Sequence, residues 1–450
     1  MPQVGYPHIS AVANMQSAAH GSMPPAETTT QARLVGCKYC GQFQMLPSLL
    51  PGESARCVRC GTLIRRAREN PLGRALALYL ACGSLFGIAS LLSLMTVSTA
   101  GMVLSANLFS GPQGLGRNGL WELSVVVLAT TFAAPFAKIA CMMYVLIGLR
   151  LPHPPRHLRT VFSWVERLNP WSMIEVYLLG VFVAYVKLID IVHIDIGDAL
   201  YALVVLMITT VAADAVLDRQ AVWEEMERRG IPETEIDHAA MARTGPGQRA
   251  IACEACGLVN VVATDQPARC HRCASRLHER KPDSIARTWA LVIASAVLYI
   301  PANVYPVLSV IQLGSGAPST ILGGVEELLA SRMYPLAALV FFASIMVPML
   351  KLAGLITLLL TTQFGWSDRL RDRTVLYRIV SAIGRWSMID IFMESILVAL
   401  VQFGSVVSIE PGGGAVAFAG VVILTMFAAE GFDPRLMWDA AEPRMQRAAV

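Results

Sequence analysis

Charged side chains are scarce in this sequence. Asp, Glu, Lys and Arg make up 15% of 450 residues, 55% are apolar, and mean hydropathy is +0.53. An ordinary soluble domain carries about 25% charged residues, so a soluble enzyme of this size is excluded. What remains is a polytopic membrane protein with small polar appendages. A large charge of one sign is lacking too: the formal net charge is +4, and no nucleic acid is expected as a partner. Residues 1–35 contain no apolar run of about 7–15 residues, which a secretory signal peptide needs. This segment is expected to be a disordered tail. No GxxxxGK[ST] motif occurs, so the chain itself is not expected to be a P-loop ATPase.

Cysteine is present in an ordered pattern. Eight of the ten cysteines fall into CxxC pairs: Cys37/Cys40 with Cys57/Cys60, and Cys253/Cys256 with Cys270/Cys273. The intervening stretches are 16 residues (41–56) and 13 residues (257–269). Two CxxC knuckles present four thiolates tetrahedrally, which suits zinc. The expectation is two structural zinc ribbons, each too small to fold on an apolar core of its own. Iron in the same thiolate geometry and a redox dithiol are the alternatives. Four thiolates leave the metal no open position for water, so Glu53, Glu254 and His271 are not expected to take part in hydrolysis, and no enzyme activity is expected. The arginines flanking the knuckles (Arg59, Arg65, Arg66, Arg68; Arg269, Arg272, Arg276, Arg280) are expected to meet anionic lipid headgroups. Cys82 and Cys141 lie in apolar segments as packing residues.

The chain is an internal duplication with a period of about 215 residues. Gly36-Cys37-x-x-Cys40-Gly41 answers Ala252-Cys253-x-x-Cys256-Gly257, and Pro135-x-x-Lys138 answers Pro348-x-x-Lys351. Trp171-Ser-Met-Ile-Glu175 answers Trp386-Ser-Met-Ile-Asp390, and Asp218 and Trp223 answer Asp433 and Trp438. The fold class is therefore an α-helical polytopic membrane protein of two tandem repeats. Each repeat is a four-cysteine ribbon followed by a four-helix transmembrane module, eight spans in total. The divisions are a tail (1–35), ribbon 1 (36–68), module 1 (69–224), a linker (225–249), ribbon 2 (250–282), module 2 (283–440) and a C-terminal tail (441–450).

A span needs about 20 apolar residues. Expected spans are 75–99, 121–148, 172–190, 197–217, 288–311, 333–361, 387–408 and 412–431. The loops 149–170 and 362–386 are rich in arginine and the opposite loops are poor in it. The positive-inside rule then places both termini, both ribbons and both Arg-rich loops in the cytoplasm. With four spans per half the repeats are parallel, related by a pseudo-twofold axis along the membrane normal.

Ionisable residues within spans are functional candidates by default. Lys138 and Lys351 each follow a proline by three residues, about one turn along the same face, where a kinked helix frees a carbonyl. Glu175 and Asp390 open their spans, and Asp390 and Glu394 share a face. Lys187 and Asp190 stand at the far end of span 3. Two roles are open. Lys138 pairs with Glu175, and Lys351 with Asp390, as packing ion pairs; or the lysines bind an anionic headgroup and the carboxylates relay protons.

These duplicated motifs, together with Phe432-Asp-Pro-Arg-Leu-Met-Trp-Asp439, resemble the paraquat-inducible protein A family of bacterial inner-membrane proteins. The first half reads Leu217-Asp-Arg-Gln-Ala-Val-Trp-Glu224 and lacks the proline. The resemblance covers roughly residues 36–440. It implies a multi-pass inner-membrane subunit that works with a periplasmic protein carrying mammalian-cell-entry (MCE) domains. The pair would move phospholipid between inner and outer membranes and support envelope integrity. A membrane-anchored metal- or redox-responsive regulator and a proton-coupled transporter of a small solute are the alternatives.

Overall fold

The computed structural model describes residues 33–99, 102–189, 193–231, 245, 247–263, 268–312, 315–401 and 407–448. Nearly all of the expected N-terminal tail, most of the linker, and Asp190 lie outside the described residues.

The first half runs β1 (Arg33–Gly36), β2 (Phe43–Leu46), β3 (Ser54–Arg56), β4 (Leu63–Arg66), α1 (Pro71–Leu91), β5 (Met95–Thr99), β6 (Met102–Ala106), α2 (Ser110–Arg117), α3 (Trp121–Leu128), a π-turn (Ala129–Ala133), α4 (Ala134–Gly148), α5 (Leu158–Leu168), α6 (Ile174–Leu188), β7 (His193–Ile196), α7 (Asp198–Val216) and α8 (Arg219–Arg228). The second half runs β8 (Gln248–Ala252), β9 (Val259–Ala263), α9 (Ser284–Val304), β10 (Leu308–Gln312), β11 (Ser315–Ser319), α10 (Ile321–Ala330), α11 (Tyr334–Phe341), a π-turn (Phe342–Met346), α12 (Val347–Gln363), α13 (Leu370–Ile383), α14 (Ile389–Leu400), β12 (Val407–Pro411), α15 (Gly413–Gly431) and α16 (Arg435–Ala448).

Among the described residues, seven helical stretches are long and apolar enough to cross a membrane: Pro71–Leu91, Trp121–Gly148, Leu158–Leu188, Asp198–Val216, Ser284–Val304, Tyr334–Gln363 and Gly413–Gly431. The expected eighth, 387–408, is not among them because its helix is short, although it still joins α13, packed on ribbon 1, to strand β12 of the sheet at the far end of the spans. Its helix α14 has 12 residues, about 18 Å at 1.5 Å per residue, where the hydrocarbon layer is about 30 Å thick. All of α14 but Asp390 and Ala399 is buried. It packs against α6 and α2 of the other half, so its apolar residues face protein rather than lipid. Two expected span ends also shift. The expected spans 1 and 5 reach residues 99 and 311, but α1 stops at Leu91 and α9 at Val304. The apolar residues beyond them form β5 and β10, since an apolar run alone does not separate helix from strand. Pro306 further disfavours helix at the end of α9. Strands β5 and β10 centre two antiparallel sheets, β6-β5-β7 and β11-β10-β12.

Repeat-equivalent residues touch each other at two levels. A Cβ on Gly36 would lie 2.5 Å from that of Ala252, and the rings of Tyr177 and Phe392 meet edge-on with centroids 5.7 Å apart. Residues related by a twofold axis touch only beside that axis. A twofold axis relating the halves would pass both contacts, between the ribbons and through the α6–α14 crossing.

The packing of the ribbons crosses the order of the sequence. The cysteines of ribbon 1 share an apolar core with α12, α13, Phe432 and Trp438 of the second half. Those of ribbon 2 share one with α4, α5, Trp223 and Met226 of the first. The ion pairs follow the same symmetry. Arg59 of ribbon 1 reaches Glu442 of α16 at 4.0 Å, and its equivalent Arg272 of ribbon 2 reaches Glu227 of α8 at 2.5 Å. The exit segments pair at home: Arg65 with Glu224 at 2.7 Å, and Arg280 with Asp439 at 2.6 Å. Arg65, Arg272 and Arg280 thus hold helices, which corrects their expected role at lipid headgroups, and Arg59 lies over the Trp438 ring at 4.8 Å.

Candidate functional site

Each cysteine knuckle is a tight turn closed on its own backbone. Gly41, Gly61 and Gly257 donate N–H to the carbonyls of Cys37, Cys57 and Cys253 at 2.9 Å, with φ of +73°, +73° and +74°. Ala274 stands in the fourth knuckle at +59°, a conformation costing an L-residue about 1–2 kcal/mol. The turns bring four sulfurs together in each ribbon, every one within 4.8 Å of the others. Cys37 and Cys60 are 3.6 Å apart, and Cys40–Cys57, Cys253–Cys273 and Cys256–Cys270 are each 3.5 Å. A disulfide would need about 2.05 Å. Tetrahedral bonds of about 2.3 Å to a central zinc set sulfurs about 3.8 Å apart, so the thiol cages fit a four-coordinate metal ion. All eight sulfurs belong to buried residues.

The surroundings of the cages are structural. Asn260 is fully buried, donates to Cys270 Sγ at 3.5 Å, and accepts from the His271 N–H at 3.1 Å. The His271 Nδ1 also meets Asn260 Oδ1, at 3.0 Å, and the group that could hold the metal consists of the four cysteines. Glu254 pairs with Arg435 at 2.5 Å, and Glu53 accepts the Leu50 N–H at 2.8 Å. Asp433 caps α16 and receives two Arg435 guanidinium bonds at 2.7 and 2.9 Å. Burial alone would raise its carboxyl, but the Arg435 hydrogen bonds and charge outweigh it and hold the pKa below the usual carboxylate value. Asp218 caps α8 in the same way, so the first half keeps the cap without the proline.

In the membrane modules the structure redraws the expected ion pairs. Lys138 does not meet Glu175. Its Nζ donates to Asp214 Oδ2 at 2.6 Å, and Tyr79 OH donates to the other carboxylate oxygen at 2.7 Å. Glu175 sits half-buried in the first turn of α6, where the helix N-terminus favours its charge. Lys351 does not meet Asp390. It is 1% exposed and donates to Thr425 Oγ1 at 2.7 Å, with Gly384 packed against its ammonium. The repeat explains the difference. Thr425 answers Thr210, but the positions answering Asp214 and Tyr79 hold Ala429 and Val292. The second lysine thus has no carboxylate within 4 Å among the described residues.

Asp390 and Glu394 do share one stripe of α14, and Ser387 precedes them on it. Asp390 Oδ2, Glu394 Oε1 and Ser387 Oγ are buried without a hydrogen-bond partner among the described residues. Lys187 of α6 is the cation facing them, and Glu327 of α10 faces Lys187 in turn. Sequence reasoning missed Asp214, Tyr79 and Thr425. The i,i+4 pair Thr210/Asp214 on an apolar helix was the available signal. Both P-x-x-K motifs follow a π-turn, Ala129–Ala133 and Phe342–Met346. The wider turn accommodates the missing proline N–H where a simple kink was expected, and such turns recur at functional sites.

The chain matches the family Paraquat-inducible protein A over residues 72–227 and 285–442. It is 34% identical over 411 residues to "Intermembrane transport protein PqiA" of Escherichia coli strain K12, covering 91% of this chain and 96% of that protein. It is 33% identical over 406 residues to "Lipophilic envelope-spanning tunnel protein A" of the same strain, covering 90% and 91%. A "Probable intermembrane transport protein" of Haemophilus influenzae is 25% identical over 425 residues. No solved structure matches the chain. With both repeats matched and a third of the residues shared across nearly the full length of the relatives, this multi-pass membrane protein belongs to the paraquat-inducible protein A family.

Proposed function

We propose that the protein is the bacterial inner-membrane subunit of a phospholipid transport system linking inner and outer membranes. It passes lipid to or from a periplasmic tunnel protein built of MCE domains. The observation that carries this reading is similarity along nine-tenths of the chain to proteins named for intermembrane transport and for an envelope-spanning lipophilic tunnel. The fold supports the topology. Both ribbons pack on the Arg-rich segments, ribbon 1 on Leu370 and Tyr377 and ribbon 2 on Leu158 and Phe162. Positive charge and metal modules thus share a cytoplasmic face. The two three-stranded sheets form the periplasmic face that meets the tunnel.

Zinc is the metal we assign to the cages. Cys37, Cys40, Cys57 and Cys60 would hold one ion and Cys253, Cys256, Cys270 and Cys273 the other. A four-thiolate zinc supplies folding energy and no hydrolytic water. Within the membrane, Lys138 and Lys351 mark the lipid path. Glu175, Asp390 and Glu394 are the proton-path candidates.

Site-specific photocrosslinking in cells grown with labelled phosphate tests the proposal. Phe136 and Met349 are repeat-equivalent, lie beside Pro135 and Pro348, and are 54% and 52% exposed. Val297, 64% exposed on α9, serves as the bilayer-facing control. Phospholipid attached at Met349 or Phe136 well above Val297 is the expected result. Labelling equal to Val297 at both positions counts against a lipid path there.

A further inference from the structure

We infer that the two cysteine ribbons act together as one cross-brace, each ribbon holding in place the membrane module of the other repeat. Ribbon 1 precedes module 1 in the chain, yet its cysteine core is completed by α12, α13 and the start of α16. Tyr39, between its first two cysteines, meets Tyr377 of α13 edge-on at 6.2 Å, and Arg371 of α13 donates to the Arg59 carbonyl at 3.0 Å. Ribbon 2 precedes module 2, yet its core is completed by α4, α5 and α8. Gln220 of α8 donates to the Cys256 carbonyl at 3.3 Å.

Two further contacts make the brace a single unit. The ribbons touch on the pseudo-twofold axis, where Val35 bridges to Leu258 and Gly36 abuts Ala252. Each ribbon's exit arginine stays bound to its own terminal helix, Arg65 to Glu224 and Arg280 to Asp439. A ribbon is therefore anchored by its exit segment to the module that follows it, to which Glu254 of ribbon 2 adds a bond to Arg435, while its cysteine core packs on the opposite module. A ribbon of this size has too little core to hold its shape alone, so the four-thiolate site gives the crossed contact its rigidity. Loosening one cage releases the opposite module first.

The test is hydrogen exchange on the full chain in lipid nanodiscs, read at α13 for module 2 and at α5 for module 1. Replacing Cys37→Ser with Cys40→Ser is expected to speed exchange in α13 about tenfold or more, the mark of about 1.4 kcal/mol of lost local stability, with α5 little changed. Cys253→Ser with Cys256→Ser is expected to give the reverse. Exchange that rises in α5 for ribbon 1 and in α13 for ribbon 2 overturns the inference, as does no change in either helix. If the cysteine variants unfold the whole chain, Tyr39→Ala decides with both cages intact. Faster exchange confined to α13 upholds the crossed brace, and an unchanged α13 overturns it.

Discussion

The two repeat-equivalent lysines should respond oppositely to the same substitution. Lys138→Met removes the cation from a pair whose lysine side chain is 4% exposed and whose acid, Asp214, keeps 37% of its side-chain exposure. Stripping one partner from a fully buried pair costs about 3–5 kcal/mol. The exposure of Asp214 reduces this to about 1–3 kcal/mol. Tyr79 still donates to the orphaned carboxylate, which places the loss toward the lower end. Lys351→Met is different. It gives up one hydrogen bond to Thr425, worth about 1 kcal/mol, and it also removes a buried ammonium that has no carboxylate partner among the described residues. Desolvating such a charge costs at least as much as that bond returns, and Met fills a similar volume. Lys351→Met is therefore expected to be neutral or stabilising. The assay is thermal unfolding of the purified chain followed by size-exclusion chromatography. Equal losses at both positions would refute the asymmetry and imply a counter-charge beside Lys351. A Lys351→Met protein that is stable but fails to restore envelope integrity in cells would separate a transport role from a packing role.

Gly180 sits where α6 crosses α14. A Cβ there would come 2.8 Å from Phe392 Cβ and 3.3 Å from the Ile389 carbonyl, so Gly180→Ala forces the helices apart at a cost of about 1–3 kcal/mol. Gly87 in α1 has nothing within 4 Å, and Gly87→Ala should gain up to about 1 kcal/mol of helix propensity. Unfolding midpoints that shift together rather than diverge would sink this reading of the crossing. Asp433 carries the pH prediction. Its folded pKa lies below the ordinary value of 3.8, so its stabilisation is fully present above that value and is lost as the pH falls through the folded one. Stability should be insensitive to this group from pH 5 to 8 and should decline in acid. Asp433→Asn should flatten that acid limb, and an unchanged acid limb in the variant would show that another group controls it.

Much of this architecture was legible in the residues. Four CxxC pairs at zinc-ribbon spacing marked the cages because ligand spacing is local. The duplication and most of the spans followed from motif order and apolar run length. The helix from Trp121 to Gly148 begins and ends where the apolar run does. What escaped was long-range. The partner of Lys138 lies 76 residues away, and the repeated W-S-M-I-acid motif offered a more symmetrical candidate that the fold does not use. The short, protein-enclosed form of the eighth crossing escaped because hydropathy reports burial from water and does not say whether lipid or protein provides it. The crossing of the ribbons left no local trace, since Arg59 and Arg272 stand in the same motif and either terminal helix offers a glutamate at the matching place.

The contacts along the axis bear on how the halves came to differ. Two identical copies meeting across a twofold must each present a surface that fits itself. Gly36 against Ala252 and Tyr177 against Phe392 are positions of that kind. With the ribbons exchanged, the chain has the form of a domain-swapped dimer fused end to end. Fusion removes the requirement that both copies stay the same. Away from the axis one copy keeps Tyr79 and Asp214 around its lysine while the other carries Val292 and Ala429. A freely assembling homodimer could not hold that asymmetry, because both of its subunits would carry the same version. One chain can therefore assign structural support to one lysine and leave the other free for a different task.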